Sequence, residues 1–143
     1  MTPAYFDTSV LVKNYVQEVG SARAGELLRS HTFLSSSIVP VELMSALMRR
    51  QSRRELRAGA IPGILARVRH DRAYWKLVDV GAPVLGQAEE IIQTVPMRAL
   101  DAIHVASLLT FQAASGIRVP FLTADGRQRD AAERMKLDVV WVG

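Results

Sequence analysis

Residues 4–12 read Ala-Tyr-Phe-Asp-Thr-Ser-Val-Leu-Val, and within them a short aromatic and apolar run gives way abruptly to Asp7, Thr8 and Ser9. Residues of that second kind commonly end a strand and cap a helix, so the chain passes from a strand at Ala4–Phe6 into a helix near Val10–Val16. The same alternation continues outward. Gly20 and Ser21 restart a helix to about Arg29, Thr32–Ser36 reads as a strand, and Val39–Ser52 as a helix with Val39, Leu43, Ala46 and Leu47 on one buried face. Gly59–Gly63 reads as a turn, because Pro62 and two glycines interrupt the helical period, and a helix is expected over Ile64–Trp75.

Leu77–Val80 is the next expected strand, and Pro83 suits the first turn of a helix through Gln93. Leu100–Phe111 is apolar almost all round, as a helix inside a layered domain would be. The strand Val119–Leu122, the polar helix Arg127–Lys136 and the strand Val139–Val142 complete the chain. Strands alternating with helices throughout predict a single domain over residues 1–143, a three-layer α/β/α sandwich around a mainly parallel sheet.

Composition agrees with one such domain. The 143 residues are 49% hydrophobic and 22% charged, with a formal net charge of only +4, which excludes a disordered chain. There is no cysteine, hence no disulfide framework, thiolate zinc site or Cys nucleophile. No targeting segment and no apolar run of membrane length is visible, so a soluble cytoplasmic protein is expected. Of 18 basic residues three are lysine and the remaining 15 arginine. That bias suits a polyanionic partner, or else simply supplies solvated faces.

Four acids draw attention. Asp7 and Asp125 stand where strands give way to helices, which is where open α/β sheets bind ligands. Glu42 and Asp101 lie in otherwise apolar helical surroundings. Singly, Asp7, Asp125 and Asp101 read equally as helix caps, and Glu42 as an exposed residue sharing a stripe with Ser45 and Arg49. Gathered at one end of a sheet, however, four carboxylates would repel one another severely without a cation. All-oxygen ligation favours magnesium or manganese over zinc. Thr8, Ser9 and Thr123 adjoin the acids and offer hydroxyls for orienting waters or phosphate oxygens.

The sequences Tyr-Phe-Asp-Thr-Ser-Val-Leu from Tyr5, Val-Glu-Leu from Val41, Leu-Asp-Ala-Ile-His-Val-Ala from Leu100, and Phe-Leu-Thr-Ala-Asp from Phe121 together resemble the PIN domain. In order and spacing they are most similar to PIN-domain toxins of the VapC type. The resemblance spans Ala4–Val142. It implies a metal-dependent endoribonuclease using Mg2+, with Mn2+ able to substitute, that forms a homodimer and is blocked by a VapB-type antitoxin. Carried over motif by motif, it makes Asp7, Glu42, Asp101 and Asp125 the catalytic and metal-binding quartet, with Thr123 contributing nearby and Asp130 as a substitute or support for Asp125. The implied products carry a 5′ phosphate and a 3′ hydroxyl.

Arginines 49, 50, 53, 54 and 57 form a basic segment beyond Glu42 that reads either as an RNA track or as a solvated helix end. Arg98 is a lesser candidate for touching phosphate. His104 follows Asp101 by three residues, on the same helical face, yet a histidine in an apolar helix is more often packed and hydrogen-bonded than a ligand. The rival class is a PIN-like RNA-binding or regulatory protein without nuclease activity. A receiver-type phosphoacceptor would need paired acids after the first strand, and a dehalogenase-type phosphatase an acid where Ser9 stands.

Overall fold

A computed structural model describes all 143 residues. Strands β1 (Pro3–Phe6), β2 (Thr32–Ser36), β3 (Lys76–Val78), β4 (Phe121–Thr123) and β5 (Val139–Trp141) form one sheet in the order β3-β2-β1-β4-β5. Every pairing is parallel. Successive side chains of a strand face opposite layers, and the core divides accordingly. Ala4, Phe6, Phe33 and Leu122 pack against helices α1 (Thr8–Tyr15), α2 (Ser21–Ser30), α3 (Val39–Ser52) and α4 (Ala60–Asp71). Tyr5, Leu34 and Phe121 face the other way, onto α5 (Ala82–Thr94), α6 (Ala99–Ser115) and α7 (Gly126–Arg134). The expected three-layer sandwich is thus present.

The chain winds outward from β1 to β3 and then returns to β4 on the other side of β1. That reversal opens a crevice beyond the carboxyl ends of β1 and β4, where α/β sheets bind ligands. Asp7 follows β1 and Asp125 follows β4, so both acids flank it.

Some element limits differ from the sequence reading, each for a local reason. Gly59–Gly63 is not a turn: Gly59 is the left-handed residue before α4, and Pro62 sits in that helix's first turn, where its missing N–H costs nothing. Strand β4 starts at Phe121, because Pro120 has no N–H to donate and the Val119 N–H goes instead to the side chain of Gln112. Strand β3 ends at Val78, since the Val80 N–H turns to the Ser37 hydroxyl. Helix α6 continues to Ser115 and stops at left-handed Gly116. No helix is long and apolar enough to cross a membrane.

Gly20, at φ +88°, begins α2 in a conformation that L side chains resist, and a Cβ there would lie 2.5 Å from the Val142 carbonyl oxygen. Gly20→Ala is therefore expected to destabilise the domain by at least about 1–2 kcal/mol. Thermal melting followed by circular dichroism checks it, and Gly63→Ala, at a helical position with open space around it, is the contrasting variant.

Candidate active site at the carboxyl end of the sheet

Asp7 is nearly fully buried and caps α1, its Oδ1 accepting the Ser9 N–H at 2.9 Å. The Ser9 hydroxyl donates to the same oxygen and the Thr123 hydroxyl to Oδ2. Ser9 Oγ in turn accepts the Ala124 N–H at 2.9 Å, and Thr123 Oγ1 the Asp125 N–H at 3.0 Å. These bonds lace the end of β1 to the end of β4 and fix how far the crevice opens. Burial pushes the Asp7 carboxyl above the usual aspartate range, and the Asp125 charge pushes the same way, against the His104 charge and the Ser9 and Thr123 hydrogen bonds.

Glu42 enters from the first turn of α3, half-buried. Its Oε1 accepts from the Thr8 hydroxyl at 2.7 Å and lies 2.6 Å from His104 Nε2. An ionised carboxylate only accepts, so Nε2 carries a proton, while Nδ1 is hydrogen-bonded to the buried Tyr5 hydroxyl at 2.7 Å. Burial alone would raise the Glu42 carboxyl, but the bonds from His104 and Thr8 and the Arg49 charge outweigh it and hold the group below the ordinary glutamate range.

Asp101 stands in the first turn of α6, where the helix dipole favours an anion. It does not cap that helix, because Arg98 occupies the cap position. Its carboxylate has no hydrogen-bond partner, and its backbone carbonyl accepts from Gln128 Nε2 at 3.2 Å. Partial burial raises its carboxyl, as do the charges of Asp125 and Glu42, with His104 and Arg98 opposing them. Asp125 itself is exposed and caps α7 by accepting the Arg127 N–H at 2.9 Å.

Glu42 and Asp125 line a crevice of about 440 Å3 together with Thr8, Ser9, Lys13, Arg49, Arg50 and Arg53, while Asp7 lies beneath the hydroxyls of its floor. The four acids thus come from four separate segments and share one electrostatic field. Asp130 is drawn away from it, exposed on α7 and paired with Arg134 at 3.2 Å. No three acidic or imidazole side chains stand ready about one point, so ligation requires rotamer adjustment of the exposed members. The donor set still fits a hard divalent cation: it is all oxygen, Asp101 has no donor opposite its carboxylate, and neighbouring acid charges raise the proton affinity of Asp7 and Asp101. Another cavity, about 480 Å3, lies at the opposite end of the sheet among Tyr15, Phe33, Tyr74 and Trp75, with Asp71 already bonded to the Tyr15 hydroxyl.

What sequence reading undervalued is His104. It is packed and hydrogen-bonded as expected, yet its partner is Glu42, which makes it part of the wall of the crevice. The spacing of three from Asp101 carried that signal.

Comparison with known proteins matches residues 4–134 to the PIN domain. A chain of a toxin-antitoxin complex from Klebsiella pneumoniae has a similar structure, with TM-score 0.64, 15% identity and coverage of 87% of this chain and 88% of that one. A chain of VapBC2 from Rickettsia felis, solved bound to a DNA fragment from the VapBC2 promoter, also gives TM-score 0.64, at 13% identity over 99% of this chain and 100% of that one. At such identities the likeness is one of fold. No curated protein matches the sequence.

Proposed function

The chain belongs to the PIN-domain family, and from that membership we propose that it is a VapC-type toxin, an endoribonuclease that hydrolyses RNA phosphodiester bonds with Mg2+ or Mn2+. Its partner in this reading is a VapB-type antitoxin that blocks the crevice, in keeping with the toxin-antitoxin complexes among its structural neighbours. What supports the proposal is that Glu42 and Asp125 line the crevice between β1 and β4, Asp7 lies beneath its floor, and the charges of Asp125 and Glu42 reach Asp101 beside it.

Asp7 and Asp101 are the preferred direct ligands, with Glu42 and Asp125 completing the shell directly or through water. When bound, the ion supplies charge neutralisation at the phosphate and a water of lowered pKa. A rim carboxylate, Glu42 or Asp125, takes the proton of the attacking water. A new O–P bond forms as the P–O3′ bond breaks in line with it, and the departing O3′ takes a proton from water, leaving a 5′ phosphate and a 3′ hydroxyl. Thr123 holds Asp7 in place, and His104 does the same for Glu42. Homodimerisation through the outward face of α3 is supported by Val41, 74% exposed, and Leu100, 50% exposed, which border one groove beside Glu42. Action in the cytoplasm belongs to the same reading.

The test is incubation of the pure protein with structured RNA and Mg2+ or Mn2+. Cleavage abolished by EDTA and by Asp101→Asn is expected, whereas an uncut RNA in all arms removes the nuclease reading and leaves an RNA-binding one.

Metal binding has its own readout. At about 100 times its dissociation constant the ion should stabilise the fold by roughly 2.7 kcal/mol, raising the melting temperature of wild type more than that of Asp101→Asn. Protons compete with metal for the raised carboxyls of Asp7 and Asp101, so the apparent affinity should fall as pH is lowered toward the acid range. An equal shift in both proteins, or no pH effect, counts against these two as ligands.

A further inference from the structure

The basic segment beyond Glu42 divides into engaged and unengaged arginines. Arg50 is held by Glu18 at 2.5 Å and by Glu55 at 3.4 Å. Lys13, across the crevice, donates to the Val19 carbonyl at 2.5 Å and pairs with Glu18 at 3.5 Å. Arg49, by contrast, hydrogen-bonds only to the Ser45 hydroxyl, at 2.7 Å, and acts on Glu42 through its charge without an ion pair. The exposed Arg53 guanidinium pairs with no carboxylate. The helix dipole favours any basic residue at the end of α3 and so treats Arg49, Arg50 and Arg53 alike. Pairing separates them.

Arg53 caps the carboxyl end of α3 with its N–H on the Arg49 carbonyl, one turn beyond Arg49, and both line the crevice that holds Glu42 and Asp125. A site that draws a phosphodiester toward four carboxylates needs cations that are not already tied up in ion pairs. Arginine's planar fork meets a phosphate through two parallel hydrogen bonds, which lysine cannot do. Resting on the nuclease reading, we propose that Arg49 and Arg53 together grip the RNA phosphate adjacent to the scissile one, as substrate-positioning residues, while Arg50 is a structural strut.

The experiment measures binding of a fluorescein-labelled single-stranded RNA in EDTA across a salt series, and cleavage kinetics in Mn2+, for wild type and for Arg49→Ala, Arg53→Ala and Arg50→Ala. The slope of log affinity against log salt should flatten by about 0.7 for each of Arg49 and Arg53 removed, since each releases about one counterion fewer. KM should rise several-fold in both variants while kcat stays within about twofold. Arg49→Lys should keep the salt slope but recover KM only in part, because charge survives and the fork does not. Arg50→Ala should leave the slope unchanged. Unchanged slopes in Arg49→Ala and Arg53→Ala, or an equal flattening in Arg50→Ala, overturn the assignment even where wild type cuts RNA. A wild type that neither binds nor cuts RNA removes the nuclease reading and this assignment with it.

Discussion

Asp7→Asn should cut RNA more slowly by on the order of 10²- to 10³-fold, while its metal-free form melts no lower than wild type. The two halves of this expectation have one cause. Burial of Asp7, with Asp125 raising its proton affinity further, outweighs the His104 charge and the Ser9 and Thr123 donors, so its charge is tolerated in the metal-free fold rather than sought by it. Asparagine keeps the shape and the cap: Oδ1 still accepts from the Ser9 N–H, and the Thr123 hydroxyl can accept from Nδ2 while donating to the Asp125 carbonyl, 3.4 Å away. Only the anion is lost, and with it the attraction for a cation.

The pH dependence follows in sign. A carboxyl raised by folding contributes stability that is complete below its unfolded value and is lost as pH climbs through the folded one. The melting advantage of Asp7→Asn over wild type should therefore widen as pH rises out of the acid range, in EDTA. Added Mn2+ should reverse the order of the two proteins. An Asp7→Asn protein with full activity, or one that melts far below wild type in EDTA, would contradict this account.

Phe121→Ala should cost about 3–5 kcal/mol, a large share of the roughly 5–15 kcal/mol that holds a domain of this kind together. Phe121 is fully buried on a three-residue strand, stacked on Tyr5 with ring centroids 5.1 Å apart. Removing its ring leaves a void against the Tyr5 phenol, whose hydroxyl holds His104 and through it Glu42. The melting temperature should drop on the order of 10 °C, and activity should fall at temperatures where the variant is still folded. Phe121→Leu, which refills most of the void, should lose less than half as much on both measures. A stable, fully active Phe121→Ala would show that β4 does not anchor the crevice.

How far the sequence could be read is clearest at particular residues. The break at Asp7 marked both the end of β1 and the cap of α1, because one side chain performs both acts and its type is restricted. The layers could be assigned from apolar period alone. What escaped was the role of Pro62, since a proline ends a helix in its interior and is welcome in its first turn, and composition does not say which applies. The partnership of Glu42 with His104 joins residues 62 positions apart, and no local pattern encodes such a contact. Likewise, the five arginines beyond Glu42 look equivalent as text. Only folding, by bringing Glu18 and Glu55 to Arg50, tells them apart.

The sheet is bounded by β3 and β5, each only three residues long, and the outer one at the carboxyl terminus carries Trp141 covered by the Arg129 guanidinium at 4.3 Å from the ring centroid. So short a border offers an incoming strand too few hydrogen bonds to template fibrous stacking, and a cation over the indole hinders a dry fit. Crowded molecules of this chain are thereby steered away from ribbon growth.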